Sequence, residues 1–260
     1  MNIIPDMARS RLEHIDSHLD GGFDIYRLAN NVETGQGDPA ACSERLASHA
    51  YAKGMHAWFR MEDLYAMKEW FYISGRLNQY ASQVRSDKMN FLYKMLEFMR
   101  PLVSDNQQLI DWFCQFSEIR DVKRIESVTT PDYTGYQIVL AVKGEWELLS
   151  ERCLQMSAKP PKGKTARFLL DNEFFAALAK GDIRLMEGVL AELISPKQIR
   201  ARASAEGGYS EGLISTFGVI FSKIAWRHGY EVKVDSPYIP AEWLPVKPLS
   251  VYDPHYRFLK

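Results

Sequence analysis

The amino-acid sequence predicts an all-α protein: stacked helical hairpins in two lobes, closed by an extended, proline-rich C-terminal strap. Three observations carry this. Apolar residues recur at helical spacing, roughly 100° per residue, along most of the chain. Strand-like alternation is confined to residues 231–235, where Val232 and Val234 stand among Glu231, Lys233 and Asp235, so any strand is short. The third is an internal repeat. Residues 140–149 line up with residues 177–186, an offset of 37, inside the range of helical-hairpin repeats. In each copy an apolar helix ends on Lys-Gly, an acidic residue caps the next helix, and Leu-Leu or Leu-Met follows on its inner face. Ala225 to Gly229 echo the helix–glycine ending once more. Hairpins cannot bury their faces alone, so stacking and a concave or flat binding surface follow.

The stretch from Ser210 to Gly229 organises the rest. Ser210 with Glu211 reads as a helix start, a hydroxyl for an orphan N–H and a carboxylate near the positive dipole end. Gly229 is a helix-ending glycine. Leu213, Phe217, Ile220 and Ile224 fall on one line, flanked by Ile214 and Phe221. Gly212, Val219 and Trp226 recur on the other side, among Ser215, Ser222 and Lys223. Two apolar stripes mean a central helix packed on two sides.

In chain order, residues 7–19 make an amphipathic helix stopped at Gly21-Gly22, and 23–31 a second short one. Asp38 caps a helix with Pro39 at its first position, running from Ala40 to about Phe59. Another covers 62–84, with Gly75 as a weak point. Residues 88–99 are apolar nearly all round, which places that helix in the core of the N-terminal half. Ser104 with Gln107 forms a capping box for a helix through Phe116. Residues 121–135 are rich in turn formers and divide the chain into an N-terminal lobe, 1–125, and a C-terminal lobe, 126–260. Five prolines from Pro237 to Pro254 forbid a long terminal helix. Trp243, Leu244, Tyr256 and Phe258 nevertheless make the tail too apolar for disorder.

Composition excludes whole classes. With 46% hydrophobic and 25% charged residues in 260, this is an ordinary globular chain. Net charge is −1, so no global field draws it to nucleic acid or an anionic membrane. Residues 1–120 hold 13 Lys+Arg against 16 Asp+Glu, and 121–260 hold 19 against 17. No apolar run approaches the roughly 20 residues of a membrane span. Cys42, Cys114 and Cys153 are odd in number and far apart, which suits buried thiols in a reducing compartment. The N-terminus lacks the basic-then-apolar layout of a signal peptide. The expected location is cytoplasmic.

Motifs for chemistry are weak. Gly163-Lys164-Thr165 lacks the glycine of a phosphate loop, since Ala158 stands there, and lacks a preceding strand. It reads as a basic solvated loop. His14 and His18 share a helix face, but no third metal ligand is placed by spacing. His49, His56, His228 and His255 read as packing or surface residues. No nucleophile elbow occurs, and no catalytic residue, metal or cofactor is expected.

One resemblance goes further. Residues 174–182, Met186-Glu187, 193–196, 212–216, 223–229, 234–240 and 244–246 resemble, in order, blocks of the immunity-protein-49 family of bacterial polymorphic-toxin systems. The resemblance spans roughly residues 130–260; the N-terminal half is similar only in being helical. It implies a cytoplasmic antitoxin that binds the toxic C-terminal domain of a secreted effector by stoichiometric occlusion. It carries no catalytic residues across, and Gly181, Gly229, Pro237 and Pro240 keep structural roles. A helical-repeat adaptor for another protein partner is the competing reading. For partner contacts the sequence points to the polar link before the central helix: Arg200, Arg202, Glu206 and Tyr209. Gly207 and Gly208 are expected to leave that link adaptable and exposed.

Overall fold

The computed structural model describes residues 6–21, 24–85, 91–116 and 121–260. It is all-α: 73% helical, with no strand among the described residues. The N-terminal part holds α1 (Asp6–Asp20), α2 (Ile25–Thr34), α3 (Pro39–Met61), α4 (Leu64–Val84), α5 (Phe91–Glu97), α6 (Met99–Ser104), α7 (Gln107–Phe116) and α8 (Val122–Glu126). After it come α9 (Pro131–Lys143), α10 (Trp146–Ala158), α11 (Leu169–Lys180), α12 (Ile183–Leu193), α13 (Pro196–Arg202) and α14 (Thr216–Arg227).

Short polar caps set most of these starts. Asp24, Asp38, Asp63 and Asp182 each accept from the backbone N–H three residues on, at 2.9–3.0 Å. Ser195 and Ser215 do the same at 3.4 and 3.2 Å. Pro39 stands at the first position of α3, as its spacing from Asp38 predicts. α3 and α4 form the principal antiparallel pair, and Gly54 lets them meet. A Cβ there would lie 2.4 Å from the Phe71 ring. Gly75, expected as a weak point, is likewise a contact: a Cβ would lie 2.6 Å from Leu109 Cδ2.

The two aligned segments, 140–149 and 177–186, share a backbone feature. Gly144 and Gly181 take left-handed φ of 72° and 69° at the ends of α9 and α11, where a side chain would be strained. The acidic caps differ: Asp182 accepts from Leu185 N, whereas Glu145 makes no side-chain cap bond. Only the second residue of each apolar pair turns inward. Leu149 and Met186 are fully buried, while Leu148 and Leu185 are 39% and 47% exposed.

α14 is the core helix that its two stripes predict. All ten residues from Thr216 to Ala225 are buried, and Gly229 follows with φ 82°. Its start differs from the expectation. Ser215, not Ser210, is the cap, and residues 208–213 form turns. Gly212 takes φ 79°, where a Cβ would lie 2.9 Å from Met7 Cγ, so no helix runs through it. Ser210 instead donates to Glu206 Oε2 at 2.8 Å.

Two further boundaries move. The helix expected over 88–99 is interrupted at Phe98, between α5 and α6; its first residues, 88–90, lie outside those described. Pro101 explains the break, because its ring would strike the Glu97 carbonyl in a continuous helix. At α7 the cap is Asn106, whose Oδ1 accepts from Leu109 N at 2.9 Å. Ser104 closes α6 by donating to the Pro101 carbonyl. Residues 231–235 carry no strand: Val232 is buried, and Lys233 N donates to Glu187 Oε1.

Buried side chains from both ends of the sequence form one continuous cluster. The C-terminal segment from 230 holds no α-helix. Trp243 is fully buried, edge-on to Trp58, Phe59 and Phe71 at 5.5–6.3 Å between ring centroids. Farther on, Tyr252 OH donates to the Ser104 carbonyl and Arg76 Nη2 to that of Leu259. Cys42, Cys114 and Cys153 are buried and form no disulfide. Burial pushes the thiols of Cys114 and Cys153 up to about 12.

Candidate functional site

A cleft lies where the polar link meets the N-terminal helices. About 530 Å³ in volume, it is lined by His14 of α1, Tyr51 of α3, Asn78 of α4, Arg100 of α6 and the loop 207–210. Arg85 and Glu44 stand at its edge, joined by two bonds of 2.8 and 2.9 Å. Glycine at 207 and 208 keeps side-chain bulk off one wall.

The loop is held from two sides. On one, Arg11 Nη1 donates to the Gly208 carbonyl at 2.6 Å, and Arg11 pairs with Glu211. On the other, Glu206 sits over the N-terminus of α14. Its carboxylate accepts from Thr216 N at 2.9 Å, from Thr216 Oγ1 at 2.5 Å and from Ser210 Oγ. The helix dipole and these donors favour the anion there, although burial raises the Glu206 carboxyl above its usual value. Gly207 and Gly208 are exposed, as expected, but the link is anchored rather than adaptable.

The four residues expected to contact a partner therefore separate. Arg200 is exposed. Arg202 is 3% exposed and belongs to the interior: Nη1 and Nη2 donate to Asp171 at 2.9 and 3.0 Å. Its guanidinium also lies 4.9 Å from the Phe217 ring centroid. Burial raises the Asp171 carboxyl, and Arg202 opposes that rise. Glu206 is half-buried in its cap. Tyr209 is 9% exposed and forms part of the cleft wall, stacked on His14 and tilted against His18. The burial of Arg202 and Tyr209 has a common reason. A seven-residue α13 and a turn-rich link leave α11 and α1 within reach, and both provide partners.

His14 and His18 are brought together, but around the Tyr209 ring. His49 lies behind them, 5.4 Å from His18 between ring centroids. It is 3% exposed, and neither ring nitrogen has a hydrogen-bond partner. Burial chiefly, with the Lys53 charge, holds it at about 4. Lys159, Lys162 and Lys164 are exposed, and residues 163–168 form a 3-10 turn. Sequence reasoning missed Asn78 and Arg100. Both sit in apolar helical patterns, and only the packing of α6 on α4 turns them toward the cleft.

Fold and cleft together define an all-α protein in which an anchored glycine loop faces a helical wall. Residues 155–243 match the family model of immunity protein 49, so this part of the chain is similar to that family. The match covers 89 of 260 residues, from within α10 to Trp243, and supports the resemblance over a narrower span than 130–260. It includes the Asp171–Arg202 pair, the Glu206 cap, the cleft loop and α14, whereas the opposite cleft wall lies outside it. Searches of curated proteins and of solved structures found no match.

Proposed function

We propose that this chain is an immunity protein that binds the toxic C-terminal domain of a cognate secreted effector and neutralises it by stoichiometric occlusion. The match of residues 155–243 to the immunity-protein family carries this reading. Under it the protein acts in the cytoplasm of the producing cell, against the toxin delivered by kin. The surface offered is the exposed side of the link: Arg200, Gly207 and Gly208, with the cleft mouth at Tyr209. The cleft is walled by α1, α3, α4 and α6 on one side and by the link on the other, so a toxin seated there contacts both.

Stable occlusion needs a total buried area of roughly 1,200–2,000 Å², with a few aromatic and arginine anchors supplying most of the energy. A net charge of −1 gives no strong steering, so the association rate is expected to depend weakly on salt. The test is co-expression with a candidate toxin C-terminal domain, followed by purification. A one-to-one complex and restored growth are expected. Protection by sub-stoichiometric protein without a complex would overturn occlusion, and no interaction with the toxin would favour an adaptor for another partner.

A further inference from the structure

The cleft wall holds a buried amide whose donor has no acceptor and a buried guanidinium with no carboxylate beside it. Asn78 is 5% exposed, and its side-chain Nδ2 has no hydrogen-bond partner. Arg100 is 8% exposed. Its Nη1 donates to Ser74 Oγ at 3.1 Å, and its guanidinium lies 4.8 Å from the Tyr51 ring centroid. Among the described residues no carboxylate lies within 4 Å of it, whereas the neighbouring Arg85 is neutralised by Glu44. Ser74 and Asn78 are one turn apart on the same face of α4. The guanidinium held by Ser74 and the unpartnered amide thus share one wall.

A buried donor without an acceptor is costly, and a charged fork without an anion more so. Both costs are removed by a ligand that brings acceptor oxygens. A carboxylate matches a guanidinium fork geometrically. Charge points the same way: among the lining residues Glu44 pairs with Arg85 and Glu97 with Lys94, which leaves the single charge of Arg100 for one carboxylate to meet.

We propose that the cleft is a binding site for a single carboxylate, received by the Arg100 guanidinium and the Asn78 amide. If the immunity reading holds, on which only the source of the group rests, the carboxylate is an Asp or Glu side chain of the toxin domain. A free carboxylic acid is the other source.

The test uses the full chain and N-acetyl-L-glutamic acid α-amide, which carries one side-chain carboxylate, with the glutamine analogue as control. The Asn78 side-chain amide and the Arg100 Nε–H resonances are followed by NMR, so that each variant is read at the other residue. A saturable shift of the Asn78 amide with the glutamate probe, absent with the glutamine analogue, is expected. Inorganic phosphate should compete more weakly. Asn78→Asp, which keeps the shape and adds a repelling charge, should weaken the probe at least tenfold, as should Arg100→Gln. Should Arg100→Gln fail to fold, Asn78→Asp decides alone. No saturable shift, or equal response to both probes or in Asn78→Asp, overturns the site. A parallel tenfold loss of toxin affinity in Asn78→Asp assigns the carboxylate to the toxin. Undiminished toxin binding with a lost probe response assigns it to a free acid. If the wild type binds the probe but no toxin, the immunity reading fails and the site stands.

Discussion

Lys223 Nζ lies 2.8 Å from Asp105 Oδ1, with both side chains fully buried. Asp105 also accepts from Lys68 Nζ at 2.6 Å and from Lys247 N. The Lys223 ammonium donates in turn to the carbonyls of Trp243, Leu244 and Pro245. One carboxylate and one ammonium therefore tie α4, the α6–α7 turn, α14 and the C-terminal segment together. Burial holds the Lys223 ammonium down at about 8, with Asp105 opposing.

From this follows an order of damage. Asp105→Asn keeps a residue that tolerates the φ of 61°, but leaves two buried ammonium groups without a counter-charge. It is expected to cost about 3–5 kcal/mol. Lys223→Met leaves Asp105 paired with Lys68 and removes donors from three carbonyls, at about 1–3 kcal/mol. Urea unfolding of both variants gives the comparison. A larger loss for Lys223→Met would show that the ammonium, not the carboxylate, is the keystone.

His49 is expected to make the protein acid-labile. Its folded value of about 4 lies below the ordinary 6.5, so the unfolded chain binds more protons in between. Stability from keeping His49 neutral is complete above pH ~6.5 and declines as the pH falls toward ~4. Roughly 2–3 kcal/mol should be lost between pH ~7 and ~4.5 on that account. The His49→Leu variant, free of this proton, should show a flatter profile over the same window. Equal slopes for the two proteins would mean that other groups dominate acid unfolding.

How far the sequence reached depends on the range of each interaction. Helix type and most caps are local, which is why Asp38-Pro39, Gly144, Gly181 and the buried face of α14 were legible. The misplaced start at Ser210 arose because local capping chemistry fits there equally well. What excludes a helix is the long-range contact of Gly212 with Met7 and of Glu206 with Thr216. The break at Phe98 could have been read from Pro101. Lys223, Asp105, Asn78 and Arg100 could not. Lys223 and Arg100 lie among apolar neighbours, Asp105 sits in a polar turn and Asn78 between Leu77 and Gln79, and what pairs with Lys223 is 118 residues away.

The link before α14 needs two kinds of variant. Arg202→Ala leaves Asp171 buried and unpaired, and is expected to cost about 3–5 kcal/mol whether or not a partner binds. Loss of binding in that variant would not locate an interface. Arg200→Glu changes an exposed side chain and should alter stability by no more than about 0.5 kcal/mol. If the toxin seats on the link, Arg200→Glu weakens the complex while the melting temperature stays put. Unchanged affinity places the interface elsewhere and leaves the immunity reading intact.

Residues 243–260 are expected to be indispensable for folding. Trp243, Leu244, Tyr256 and Leu259 are all at least 91% buried, and each contributes roughly 1.5–3 kcal/mol when fully removed from water. Their sum approaches the whole stability of a typical domain, about 5–15 kcal/mol. Deletion would also take away the carbonyls of Trp243, Leu244 and Pro245 that solvate Lys223, leaving its charge in the core. Two effects therefore act together, one apolar and one electrostatic. The truncated chain should be unfolded or aggregated at ambient temperature. A second deletion beginning after Pro245 keeps Trp243 and the three carbonyls, so it should retain a cooperative transition at a lower melting temperature. Thermal unfolding followed by circular dichroism distinguishes the two. A 1–242 protein that melts like the full chain would refute the structural role of the segment, and identical losses in both truncations would remove the Trp243–Lys223 contacts from the explanation.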